Sequence, residues 1–282
     1  MRDLLGELAG FLRTRRERLT PGDVGLPVLG RVRRTPGLRR EEVADLAGVS
    51  VDYLTRLEQG RGLRPSAEVL AALGRALRLD LDERDYMFAL AGQRSAAERR
   101  TPDPGPLARL VHDLAPLPAL LIDHRFDLVA WNPQMARLML DFDTLPDAQH
   151  NALLMCLTHP AFRDFYRDRE RVLSEAIADL RAAWAAHPDD AELSALVDEL
   201  SRNDEFERLW DRQDVRVNGR GRKPLLHPGV GPVTVDFEVL NPLHGTGHRL
   251  IVYRAADPAS QSALDSLAEG AGPAHPLRAV NG

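Results

Sequence analysis

The stretch Glu42-Val-Ala-Asp-Leu-Ala-Gly48-Val-Ser50-Val-Asp-Tyr-Leu-Thr-Arg-Leu-Glu-Gln-Gly60 fixes the fold of the first third of the chain. Val43, Ala44 and Leu46 repeat at helical spacing, Gly48 interrupts them, and Ser50 is a side chain that caps the next helix. Leu54 and Leu57 continue the apolar face until Gly60 ends it. Two short helices joined by a tight glycine turn make a helix-turn-helix unit, with Ala44 and Gly48 small where the backbones approach.

Working outward, Leu4, Leu5, Leu8, Phe11, Leu12 and Leu19 predict a first helix that ends at Thr20-Pro21-Gly22. Residues 20–37 carry three prolines and four glycines and read as a long loop. Further helices are expected from Ser66 through Leu79 and from about Asp82 to Ala91. Residues 1–95 are therefore an all-α domain of five short helices. The Pro and Gly run at 102–106 places a linker over 96–106.

Beyond the linker the pattern turns α+β. Ala119–Trp131 reads as two short strands around a turn at Asp123 to Arg125, and Asn132-Pro133 opens a helix. Residues 160–184 and 190–211 read as two amphipathic helices. Strands with an antiparallel arrangement are expected near Lys223–His227, Gly231–Leu240 and His248–Tyr253, where Val233, Val235, Phe237 and Val239 alternate with polar neighbours. This second domain spans 107–256, and 257–282 form a tail that is partly disordered.

Over its 282 residues the chain has 37 basic and 42 acidic side chains, a net charge of −5. The charge is unevenly placed. Residues 1–100 carry 19 basic against 15 acidic groups, and residues 13–40 alone hold nine arginines against Glu17 and Asp23. A local cationic surface on an acidic protein is compatible with nucleic acid. No apolar run approaches the roughly 20 residues of a membrane span, and the start has acids where a signal peptide has none, so a cytoplasmic protein without membrane association is expected. The single cysteine, Cys156, excludes an internal disulfide framework and any multi-cysteine metal site. Lys223 is the one lysine, read as the base composition of a G·C-rich genome.

The helix-turn-helix residues resemble the XRE family of phage-repressor-like DNA-binding domains, over roughly residues 8–90. The resemblance makes Ser50–Gln59 the recognition helix, with Val51, Asp52, Thr55 and Arg56 facing bases in the major groove. Their chemistry differs: Arg56 can fork onto guanine, Asp52 can accept from cytosine, and Val51 can touch a thymine methyl. Arg39, Arg40, Ser50, Arg61 and Arg64 are expected on phosphates. The resemblance also implies a structural ion pair between Arg16 and Glu58. The departure is the long Thr20–Gly37 loop. Its Arg31, Arg33 and Arg34 make it either a DNA arm or a solvated loop.

The whole chain resembles the MmyB-like transcription regulators, on Leu26-Pro27, Arg33–Val43, Ala130-Trp-Asn-Pro133, Phe206–Trp210, His227-Pro-Gly-Val-Gly231 and Leu250–Tyr253. This implies a PAS-like ligand-binding domain associated with fatty-acid-like ligands, no required cofactor, and operator half-sites bound by a homodimer. Leu121, Phe126, Trp131, Met135, Met139, Leu153, Phe162, Phe165, Trp184, Phe206 and Trp210 are candidate liners of an apolar pocket, and for each alone core packing is the better reading. Asn132 either holds a ligand head group or, preferably, caps its helix. Arg181 either holds a carboxylate or is an exposed helical arginine. Members usually show His-Asp-Val after the Leu-Trp pair, whereas this chain has Gln213-Asp-Val215, and Gln213 keeps hydrogen-bonding capacity but cannot titrate. Enzyme motifs are missing: no Gly-x-Ser-x-Gly, no Walker loop and no His-Glu-x-x-His. His244-Gly-Thr-Gly-His248 lacks the helix that would align two imidazoles. The competing reading is a DNA-binding regulator whose acidic C-terminal half is a protein-interaction or dimerisation module without a ligand.

Overall fold

The computed structural model describes residues 3–27, 37–61, 64–93, 105–146, 149–217, 219–242 and 247–269. Chain contacts divide it into two compact units. One comprises residues 1–95 with 181–199 and 210–217, and the other 96–180 with 200–209 and 218–282.

In the first unit, α1 (Leu4–Arg18), α2 (Arg40–Ala47), α3 (Val51–Glu58), α4 (Ala67–Ala76) and α5 (Leu81–Leu90) are the five helices expected of its N-terminal part. Their starts are written in side chains. The Ser50 hydroxyl accepts the Tyr53 amide at 3.1 Å, the Ser66 hydroxyl that of Val69, and Asp80 that of Glu83. Gly48 ends α2 in the left-handed region at φ 67°, where a side chain would be strained. Leu8, Phe11, Leu12, Leu38, Val43, Ala44, Leu54, Leu57, Leu70, Leu73 and Met87 form the core. At Gly37 the chain passes so close to α1 that a Cβ would lie 2.5 Å from the Glu17 Cα, and Leu38 then donates its amide to the Arg16 carbonyl. Arg31, Arg33 and Arg34, the residues of the expected arm, lie outside the described residues.

In the second unit, α6 (Gly105–Asp113) leads into a five-stranded antiparallel sheet of order β2-β1-β5-β4-β3. The strands are β1 (Ala119–Ile122), β2 (Leu128–Trp131), β3 (Arg220–His227), β4 (Gly231–Leu240) and β5 (Arg249–Ala255). The remaining helices of the chain are α7 (Pro133–Leu138), α8 (Ala152–Thr158), α9 (Arg169–Ala186), α10 (Ala191–Leu200), α11 (Asp204–Trp210) and α12 (Pro258–Glu269). Register sorts the side chains by face. Leu120 opposes Ile251, Ile251 opposes Val239, and Phe237 opposes Tyr253, so these share one face. Ala119, Leu121 and Leu250 point to the other, where they pack with Val111 of α6.

Two sequence expectations are corrected. The helix expected from 160 begins at Arg169, because residues 165–167 pair with β3: Leu226 donates to the Phe165 carbonyl at 2.8 Å and Arg167 to that of Pro224 at 3.1 Å. The helix expected over 190–211 is two, broken where the Asn203 carboxamide accepts the amides of Glu205 and Phe206 at 2.9 and 3.1 Å and starts α11. Within the segment after 257 the described residues form α12, and the Ser260 amide donates to the Asp257 carboxylate at 2.8 Å.

Candidate functional site

Among the described residues, two places stand out for their chemistry, one in each unit. The first is the outer face of α3. Leu54 and Leu57 turn inward, which leaves Val51, Asp52 and Arg56 exposed and Thr55 half-buried. The Thr55 hydroxyl donates to the Val51 carbonyl at 2.8 Å. Arg39, Arg56, Arg61 and Arg64 are exposed, and their side chains form no hydrogen bond or ion pair with another described residue. Ser50 is exposed too, though its hydroxyl is committed to the cap of α3.

The orientation of α3 is set by a buried charge. The Glu58 carboxylate has a side-chain exposure of 1% and accepts from Arg16 Nε at 2.7 Å and Nη2 at 3.1 Å. Arg40 Nε reaches its second oxygen at 2.7 Å, and Arg16 Nη1 also donates to the Leu38 carbonyl at 3.0 Å. The expected Arg16–Glu58 pair is thus present, and Arg40, expected on phosphate, is its third member with a guanidinium still 42% exposed.

The second place is an apolar cavity of about 110 Å³ between the sheet face and the helices of the second unit. Leu120, Ile122, Val239 and Ile251 supply its floor, and Phe126, Met139, Phe142, Leu153, Phe162 and Leu173 its walls. Its border also holds Cys156, Tyr166, Glu175, Asp179, Lys223, Arg249 and Tyr253. Burial pushes the Cys156 thiol above its ordinary range and the Tyr166 phenol well above it, so both are neutral near pH 7.

Of the candidate pocket residues, Phe126, Met139, Leu153 and Phe162 line this cavity. Leu121 points to the opposite sheet face, and Met135, Phe165 and Phe206 are buried in the core without bordering the void. Trp131 lines a shallow groove with His112, Pro133 and Arg137. Trp184, Trp210 and Arg181 belong to the first unit. There the Arg181 guanidinium is fully buried, stacked on Trp210 at 4.1 Å, paired with Glu7, and donating to the Tyr86 hydroxyl at 3.1 Å and to Gln213 Oε1 at 3.0 Å. It is a structural arginine, and Gln213 acts there as an acceptor that needs no titration. Asn132 is the helix cap: its Oδ1 accepts the amides of Met135 at 3.0 Å and Ala119 at 3.1 Å, and its Nδ2 donates to the Val111 and Leu117 carbonyls. Lys223, Tyr166 and Tyr253 were missed by sequence reasoning. The signal available was the period-2 alternation of β3 and β5, which puts Lys223 and Tyr253 on inward faces.

Among the described residues no group of His, Cys, Asp or Glu could hold a metal ion, and no helix is long and apolar enough to cross a membrane. His244 lies outside them.

Comparison with known proteins matches residues 104–267 to the family described as the MmyB-like transcription regulator ligand binding domain, and residues 7–87 to a helix-turn-helix domain. The chain is also similar to the transcriptional regulator ClgR of Mycobacterium tuberculosis, in strains CDC 1551 and H37Rv alike. The identity is 38% over 82 residues, which are 29% of this chain and 70% of the relative.

Proposed function

The chain belongs to the MmyB-like transcription regulators, DNA-binding proteins with a helix-turn-helix and a ligand-binding domain, and from that premise we propose that it is a one-component sensor. Its α3 enters the major groove of an operator, where Val51, Asp52, Thr55 and Arg56 meet base edges and Arg39, Ser50, Arg61 and Arg64 meet phosphates. Arg40 serves the backbone only with the exposed part of a side chain already committed to Glu58. Two copies of the chain bind two half-sites about 34 to 36 Å apart. The second domain, PAS-like by the family resemblance, takes a small apolar, fatty-acid-like effector. Its binding shifts the population between DNA-competent and incompetent states. The protein acts in the cytoplasm and away from membranes.

The observation that carries this reading is the apolar void lined by Phe126, Phe142, Phe162 and the sheet face, since a core that only packed would have closed on it. Native mass spectrometry of the purified full chain tests it, with operator DNA added in a second step. A bound apolar molecule, and a change in DNA affinity on its removal, are expected. A bare dimer whose operator affinity no apolar additive alters would overturn the sensor.

A further inference from the structure

We propose that Arg181 and Gln213 are positioning residues for DNA reading, which set α3 through α1; the proposal rests on α3 being the helix that meets the bases. Both residues lie in the stretch matched to the ligand-binding family, yet their contacts place them in the first unit. Residues 181–199 and 210–217 thus complete the unit that holds the helix-turn-helix.

α1 carries the argument because it presents two stripes, each with the four-residue spacing of one helix face. Leu8, Leu12 and Arg16 form the first: the leucines enter the core, and Arg16 holds the Glu58 carboxylate at the end of α3. Arg13 adds a bond to the Glu58 carbonyl at 3.0 Å, and at Gly60 a Cβ would stand 3.6 Å from the Gly6 Cα. The end of α3 is therefore fastened to α1 at several points. Glu7, Phe11 and Arg15 form the second stripe. Phe11 packs edge-on to the Tyr86 ring at 5.1 Å, Glu7 accepts from the Tyr86 hydroxyl at 3.1 Å and pairs with Arg181, and Arg15 donates to the Gln213 carbonyl at 2.8 Å. Farther along α1, Arg18 meets Asp214 at 2.9 Å.

Arg181 is the centre of this second side. Its guanidinium reaches Glu7, the Tyr86 hydroxyl, the Gln213 carboxamide and the Trp210 carbonyl. A lysine has three donors and no plane to stack, so it cannot replace that fork. Gln213 stands in the left-handed region at φ 56°, and its Nε2 lies 3.6 Å from where a Cβ on Gly10 would be. The same turn thus delivers the Gln213 carbonyl to Arg15 and its carboxamide to Arg181. A rigid helix gripped on two stripes transmits a shift on one to the other, so loosening Arg181 or Gln213 moves the anchor of α3.

The test uses the full chain, an operator obtained by binding-site selection with the wild type, and an unrelated duplex of equal length, all at one salt concentration. Arg181→Lys keeps the charge and loses the fork. Gln213→Gly keeps the carbonyl and the left-handed turn, which glycine adopts freely, and loses only the side chain. For each variant, operator affinity should fall about tenfold, the scale of one base contact weakened. Affinity for the unrelated duplex, set by phosphate charge, should stay unchanged. A role confined to stability would act differently, since unfolding withdraws protein from both equilibria and lowers both affinities by one factor. Equal losses on the two duplexes, or no loss on either, overturn the proposal while the reading of α3 stands. If Arg181→Lys does not fold by circular dichroism, Gln213→Gly decides alone. A wild-type chain that enriches no sequence overturns the reading of α3 and this proposal with it.

Discussion

Both units tie elements together through buried polar side chains, and one such group from each, Glu58 and Asn132, does so with opposite chemistry. In the helical unit the group is charged: Glu58, with Arg16 and Arg40, ties α3 to α1 and α2. In the sheet unit it is neutral: the Asn132 carboxamide ties the start of α7 to β1 and to the carbonyls at the end of α6 and at Leu117. A buried ion pair is strongly favourable only relative to its half-removed state, since desolvation offsets much of the attraction. A carboxamide that satisfies two donors and two acceptors carries no net charge to desolvate. The helical unit thus gains a specific orientation for its reading helix, and the sheet unit holds its frame beside a void without adding charge to it.

The largest effect expected is that of Glu58→Ala. It strands the Arg16 guanidinium, 8% exposed, at a cost of about 3–5 kcal/mol, and should abolish operator binding because α3 loses its tether. Urea denaturation measures the first and a gel-shift titration the second. A loss under about 1 kcal/mol would mean that Arg16 escapes to solvent, and the charged hub would not be what fixes α3.

Asn132→Ala should cost about 2–3 kcal/mol, the scale of leaving buried hydrogen-bonding groups unpaired. Asn132→Asp sharpens the contrast, for it keeps the shape and the two accepted amides but turns a carboxylate oxygen toward the Val111 and Leu117 carbonyls. It should be at least as damaging as Ala at pH 7 by urea denaturation. An Asp variant as stable as wild type would show that this hub accepts charge as readily as the other.

These two hubs were not equally legible. Ser50, Gly48 and Gly60 lie within a motif whose spacing constrains them, so residue types alone placed them, whereas the Arg16–Glu58 pair followed from the resemblance to XRE domains. Asn132 was legible as a cap, because Pro133 and the apolar spacing that follows mark a helix start. Its two donated bonds were not, since they reach back 15 and 21 residues. The same distance hid Arg181, whose partners Glu7 and Tyr86 are about a hundred residues or more away. It also hid the strand-like 165–167 segment, whose partners lie in β3. A pocket was expected from the family resemblance, but which aromatics border it could not be read from spacing: an aromatic that walls a void and one that fills a core have the same period. Lys223 was set aside as composition, although its position in an alternating strand placed it on the inner face.

At the DNA-reading face the contrast becomes one between two exposed arginines. Arg56→Ala should relax base preference at one operator position by about 1–3 kcal/mol, whereas Arg61→Ala should weaken all sequences alike and lower the salt slope by about one. Binding-site selection and salt titration separate them. If Arg56→Ala weakens every sequence equally, α3 does not read bases through it.

The smallest effect expected concerns a second neutral group of the sheet unit. His227 is 2% exposed; its Nε2 donates to the Arg137 carbonyl at 3.0 Å and its Nδ1 accepts the Gly229 and Val230 amides at 3.0 and 3.3 Å. A proton on Nδ1 would face two N–H donors. Burial in addition holds the imidazole below its ordinary value, despite the Arg137 carbonyl. The unfolded chain therefore takes up a proton near pH 6.5 that the folded chain refuses, and stability falls as pH is lowered from 7 through 6 toward the folded value. Denaturation midpoints at pH 7.5, 6 and 5 should drop more steeply for wild type than for His227→Gln. His159 and His248, also held low by burial, remain in both proteins, so the difference between the two slopes belongs to His227. Coincident slopes would assign the acid sensitivity elsewhere and remove this histidine from the set of groups the sheet unit keeps neutral.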